Sequence, residues 1–144
     1  MARIFLESAG DVLDRRLVQQ LFDLLEGEAG APGECAPPLD VVELPDRIEI
    51  AVDLPGVQTS ALRVIFSRGA LVVAGRKAPR VCEHSVAFHL AERSFGRFAR
   101  AIALTGAFDA GRASAVLSAG ELRIVIPRIE ERRGRDIEIA VRAG

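Results

Sequence analysis

An all-β domain folded as an antiparallel β-sandwich follows from three features of the sequence. Ile48, Ile50, Val52 and Leu54 alternate with Arg47, Glu49, Ala51 and Asp53, the cleanest period-two pattern in the chain. Ala115 and Leu117 alternate into Ala119-Gly120, and Leu122, Ile124 and Ile126 alternate out of it as far as Pro127. Between these two stretches, short strand-like segments recur at regular spacing, with Gly and Pro turns and hardly any helical pattern.

Each strand has its own signal. Leu39–Leu44 is short and runs into Pro45-Asp46, and the pattern from Ile48 to Leu54 ends at Pro55-Gly56. Leu62, Val64 and Phe66 alternate with Arg63, Ile65 and Ser67, and Arg68-Gly69 turns the chain into the apolar run Ala70–Ala74. Within Arg80–Ala91, Val86, Phe88 and Leu90 alternate with Ser85, Ala87 and His89, which predicts a strand. Ser94–Leu104 predicts another, with Phe98, Ile102 and Leu104 on one side. The final hairpin turns at Ala119-Gly120, where glycine accepts a positive φ. Pro127 has no backbone N–H and so ends the ladder.

Two arms flank these strands. From about Asp11 to Glu26, Leu13, Leu17, Val18, Leu21, Leu24 and Leu25 recur at helical spacing, opposite Asp14, Arg15, Arg16, Gln19 and Gln20, which predicts an amphipathic helix. Ser8 and Asp11 resemble a capping box, and Gly27 is a stop signal. Ile4, Phe5 and Leu6 add a short apolar patch ahead of it, and residues 27–38 read as a flexible Gly/Ala/Pro linker. After Pro127 the chain becomes densely charged from Arg128 to Asp136, and then Ile137-Glu138-Ile139 appears. The expected division is an arm and linker over 1–38, a β-domain over 39–127 and an extension over 128–144.

Composition narrows the function. The 144 residues are 49% hydrophobic, with a mean hydropathy of +0.22, yet no apolar run approaches the ~20 residues of a membrane span. Self-association or partner binding is the expected sink for that apolar surface. Nineteen basic and twenty acidic residues leave a net charge of −1. That balance points away from nucleic acid and anionic membranes. With no Trp and no Tyr, stacking platforms for single strands are also scarce. Acidic Glu7, Asp11, Asp14 and Asp23 argue against a secretory leader, so a cytoplasmic location is expected. A membrane-surface role for the helix is the weaker reading, because its polar face mixes both signs.

Catalytic patterns are missing. Cys82, His84 and His89 lie close together but lack a fourth ligand at metal-site spacing, so no metal or other cofactor is expected. Gly106–Gly111 lacks the Gly-Lys-Ser/Thr ending of a phosphate loop, and neither a Gly-x-Ser-x-Gly elbow nor His-Glu-x-x-His occurs. No enzyme is expected.

Several motifs, in order, carry a family resemblance. Ala115-x-x-x-x-Gly120-x-Leu122-x-Ile124-x-Ile126-Pro127 resembles the signature hairpin of the α-crystallin domain of the small heat-shock proteins. Glu121 and Ala119 stand where that pattern usually has Val and Asn. Asp40–Glu43 with Leu54-Pro55-Gly56-Val57 is similar to the family's opening strands and turn. Gly69–Arg76 resembles its Gly-x-Leu-x-Ile-x-Gly segment, and Glu92–Phe98 its Glu-Arg-Ser-x-Gly-x-Phe run of the bacterial and plant branch. Thr105 follows Leu104 where many members have Pro.

The resemblance implies an immunoglobulin-like sandwich and an ATP-independent holdase that binds partly unfolded client proteins and prevents their aggregation. It also implies a dimer in which a strand carrying Val86, Phe88 and Leu90 pairs with the partner subunit, with Arg100 at that interface. The dimers would build larger homo-oligomers, with Ile137 and Ile139 docking into a groove formed by Leu62, Val64 and Phe66 with Ala115 and Leu117. Leu13, Leu17, Leu21 and Phe22 of the N-terminal helix would bind clients. The competing expectation is a non-enzymatic adaptor or co-chaperone for one dedicated partner.

Overall fold

The computed structural model of the chain describes residues 4–7, 35–67, 69–79 and 84–129. The predicted N-terminal helix, most of its linker, Cys82 and the Ile137-Glu138-Ile139 tail lie outside them. Among the described residues there are eight strands: β1 (Ile4–Glu7), β2 (Leu39–Glu43), β3 (Arg47–Asp53), β4 (Leu62–Ser67), β5 (Ala70–Lys77), β6 (Gly96–Leu104), β7 (Ser114–Ser118) and β8 (Glu121–Pro127). They form two four-stranded sheets, in the orders β1-β6-β5-β4 and β2-β3-β8-β7, and every pairing is antiparallel. The sandwich is therefore observed, built by the segments whose alternation predicts it.

The core follows the period of two. On β3, Ile48, Ile50 and Val52 are fully buried while Arg47, Glu49 and Ala51 between them are only partly covered. Their partners across the ladder are Ile126, Ile124 and Leu122 of β8, so one face of each strand builds one half of the core. Leu71, Val73, Phe98, Ile102 and Leu104 of the other sheet complete it. Burying each such side chain contributes roughly 1.5–3 kcal/mol, enough to fix the register of both sheets. On β5 the intervening Ala70, Val72 and Ala74 are buried as well, so that strand is covered on both faces. A strand covered on both faces reads as a continuous apolar run instead of an alternation.

Two turns set local geometry. Ala119 and Gly120 take φ of 50° and 78°, so the β7–β8 turn needs two successive left-handed residues. The Gly120 carbonyl accepts the Leu54 N–H at 2.7 Å, and a Cβ on Gly120 would stand 3.1 Å from Pro55 Cα. The signature hairpin and the Leu-Pro-Gly-Val turn thus lock together backbone to backbone. Gly75 is under a different constraint. It pairs with Phe98, whose ring covers it, and a Cβ there would stand 2.6 Å from both Phe98 Cζ and the Ala61 carbonyl oxygen.

The structure departs from the expected strands in two places. Ile4–Glu7, expected only as an apolar patch, forms an edge strand on β6. The strand expected within Arg80–Ala91 is absent from the described part of that segment, where residues 84–95 form a turn and irregular chain before β6 begins at Gly96. Among the described residues no sheet edge pairs with that segment, and its alternating Val86, Phe88 and Leu90 are exposed.

Candidate interaction edges

With no catalytic pattern to follow, the surfaces that matter are sheet edges and exposed apolar side chains. Val86, Phe88 and Leu90 are 44%, 69% and 75% exposed. They lie in the loop between β5 and β6, just after the turn His84-Ser85, where Ser85 takes a φ of 80°. Aromatic contacts pin the loop's return. The Phe95 ring lies between the Arg93 guanidinium, 5.0 Å from its centroid, and the Lys77 ammonium at 5.8 Å. Lys77 ends β5 and Arg93 precedes β6, so the base of the loop is held while its apolar residues stay in solvent. Sequence reading missed this clamp, although Phe95 stands inside the Glu-Arg-Ser-x-Gly-x-Phe run that it singled out.

Among the described residues four strands end their sheets, β1 and β4 in one and β2 and β7 in the other. Such edges offer free backbone donors and acceptors. On β2, Leu39 and Val41 pack on the core while Val42 is exposed. The expected groove residues fall on β4 and β7. Leu62 is buried, Val64, Phe66 and Leu117 are half-buried against the common core, and Ala115 is exposed. These side chains are apolar, partly open and sited on edge strands of the two different sheets.

Arg100 is neither a solvated surface residue nor visibly part of the exposed loop. It is half-buried, and its Nη1 donates to the Pro37 carbonyl at 2.8 Å, tying β6 to the segment that leads into β2. The Cys35 N–H donates to the Arg97 carbonyl at 3.1 Å on the same strand. Charge elsewhere is local. Arg47 bonds Glu49 and Asp46, and the Glu49 bond, with Asp46 beside it, raises its pKa above the ordinary value, so it remains a cation. Arg128 pairs with Glu43 and stacks on Phe108, closing the end of the sandwich where Phe108 and Arg128 form an isolated bridge. Among the described residues no group of His, Cys, Asp or Glu is arranged to hold a metal, and no helix is long and apolar enough to cross a membrane.

The described residues thus form a two-sheet sandwich with open edges and an exposed apolar loop. The chain belongs to the Hsp20/alpha crystallin family, whose model matches residues 40–141. It is 30% identical to the 18 kDa heat shock protein of Streptomyces albus G, over 82% of this chain and 85% of that one. Heat shock protein 16.0 of Schizosaccharomyces pombe superposes with a TM-score of 0.65 at 31% identity, covering 78% of this chain and 87% of the other. A small heat-shock protein of Xylella fastidiosa, described as having a distinct high order structure, gives 0.66 at 28% identity, covering 76% and 100%. Relatives come from bacteria, plants and fungi. This is a family of chaperones and not of enzymes.

Proposed function

We propose that the protein is an ATP-independent holdase that keeps partly unfolded polypeptides from aggregating. The observation that carries this reading is the exposed row of Val86, Phe88 and Leu90 beside a sandwich whose inner faces are buried. Burying each would contribute roughly 1.5–3 kcal/mol, so leaving all three in water is costly unless association covers them. Binding non-native chains in competition with aggregation is mass action and needs no nucleotide. Suppression of the light scattered by a heat-labile client, without ATP, tests the reading.

The assembly has three parts in this account. Val86, Phe88 and Leu90 pair with a partner subunit to make the dimer, with Arg100 at that interface. The tail over 128–144 carries Ile137 and Ile139 into the apolar edge made by Leu62, Val64 and Phe66 with Ala115 and Leu117 of another dimer. Two isoleucines spaced by one residue share a face of an extended strand, which suits a pair of apolar holes. The arm over 1–38, with Leu13, Leu17, Leu21 and Phe22, takes most of the client contact, and the cytoplasm is the site of action. Replacing Ile137 and Ile139 with Gly is expected to reduce the particle to dimers by light scattering. An unchanged mass would remove the anchor from the account.

A further inference from the structure

β6 is an interior strand only because β1 covers it. Ile4, Phe5, Leu6 and Glu7 pair with Leu104, Ala103, Ile102 and Ala101 in turn. Without β1, the backbone of Ala101–Leu104 would be an open edge, beside Ile102 and Leu104 of the core. β1 is four residues long, and among the described residues β6 is its one sheet neighbour. Residues 8–34 separate β1 from Cys35, whose N–H also bonds β6, through the Arg97 carbonyl.

The balance of forces on such a strand is close. Each backbone bond contributes a net ~1 kcal/mol, while ordering each residue costs about 1–2 kcal/mol. The ladder by itself barely offsets the ordering, so the apolar character of the paired segment decides whether it stays. Ile4 and Leu6 are the register partners of Leu104 and Ile102.

We propose that the outer edge of β6 at Ala101–Leu104 is a strand-addition site for extended apolar segments of non-native polypeptides, and that Ile4–Glu7 occupies it as a tethered, displaceable strand. The identity of the displacing ligand rests on the holdase reading; the exchangeable edge does not. Strand addition gives affinity through the backbone and selects through alternate side chains. A segment with apolar residues two apart therefore fits where Ile4 and Leu6 now pair.

The test uses the full chain carrying Phe5→Pro and Leu6→Pro. Successive backbone N–H groups point to opposite sides of a strand, so one of the two prolines removes a donor aimed at β6. The probe is a fluorescein-labelled peptide with the sequence of residues 2–9, followed by anisotropy. A strand joined to the same chain competes at roughly millimolar effective concentration, so the variant is expected to bind the peptide about tenfold or more tightly than the parent chain. Hydrogen exchange should show the bound peptide protecting Ala101–Leu104. Equal binding to both chains, no binding to the variant, or protection confined to another strand would overturn the proposal. Should the prolines unfold the sandwich, Leu6→Asp, which keeps every backbone donor, carries the same expectation and the same refutation. Client scattering measured in parallel separates the two claims. Edge binding without aggregation suppression sinks the holdase reading alone, and suppression without edge binding sinks this one alone.

Discussion

Gly75→Ala is expected to destabilise the sandwich by about 1–3 kcal/mol, the usual cost of overpacking a filled core. The added Cβ would stand 2.6 Å from the Ala61 carbonyl and 2.6 Å from Phe98 Cζ. Neither neighbour can yield cheaply: one is backbone, and the other is the ring of a fully buried phenylalanine at the centre of the core. At 4–8 °C per kcal/mol for a domain of this size, the thermal midpoint should fall by roughly 5–20 °C. Phe98→Leu combined with Gly75→Ala should recover part of that fall, because a smaller side chain vacates the ring's position. A midpoint for Gly75→Ala within a degree or two of the parent would show that the Gly75–Phe98 contact does not constrain the sheet.

The second large effect concerns the exposed loop. Replacing Val86, Phe88 and Leu90 together with Ser is expected to leave the sandwich's unfolding midpoint almost unchanged, since all three are exposed in the single chain. The same change should collapse the dimer, because it removes several kcal/mol of apolar burial from the interface, at roughly 1.5–3 kcal/mol per side chain. Size-exclusion chromatography with light scattering should report a mass falling toward that of one subunit. A dimer that persists would place the subunit interface elsewhere. Loss of stability without loss of mass would mean the loop packs on its own domain.

Much of the fold is legible from residue order because burial on one face leaves a period of two. Ile48, Ile50 and Val52 show it against Arg47, Glu49 and Ala51, and Leu122, Ile124 and Ile126 show it against Arg123 and Val125. β5 is legible in another way, as an unbroken apolar run, since both its faces are covered. β1 was not legible as a strand: four residues are too few to display a period, and its partner lies at the far end of the chain. The segment holding Val86, Phe88 and Leu90 shows the opposite case. Its alternation is genuine, but within one chain no sheet edge accepts it, so a strand pattern appears there as exposed loop. Arg100 could be read as solvated or as an interface residue; its bond to the Pro37 carbonyl depends on a linker whose path the sequence does not encode by any periodicity. The strain at Ala119, with φ of 50°, was foreshadowed by its place in a turn that usually carries Asn.

The measurement closest to the central claim is the light scattered by a heat-labile client during heating, with and without this protein, and with no nucleotide present. Suppression at near-equimolar subunits is the result the account predicts. No suppression at several-fold excess, for two unrelated clients, would contradict it and leave a sandwich adaptor serving one dedicated partner.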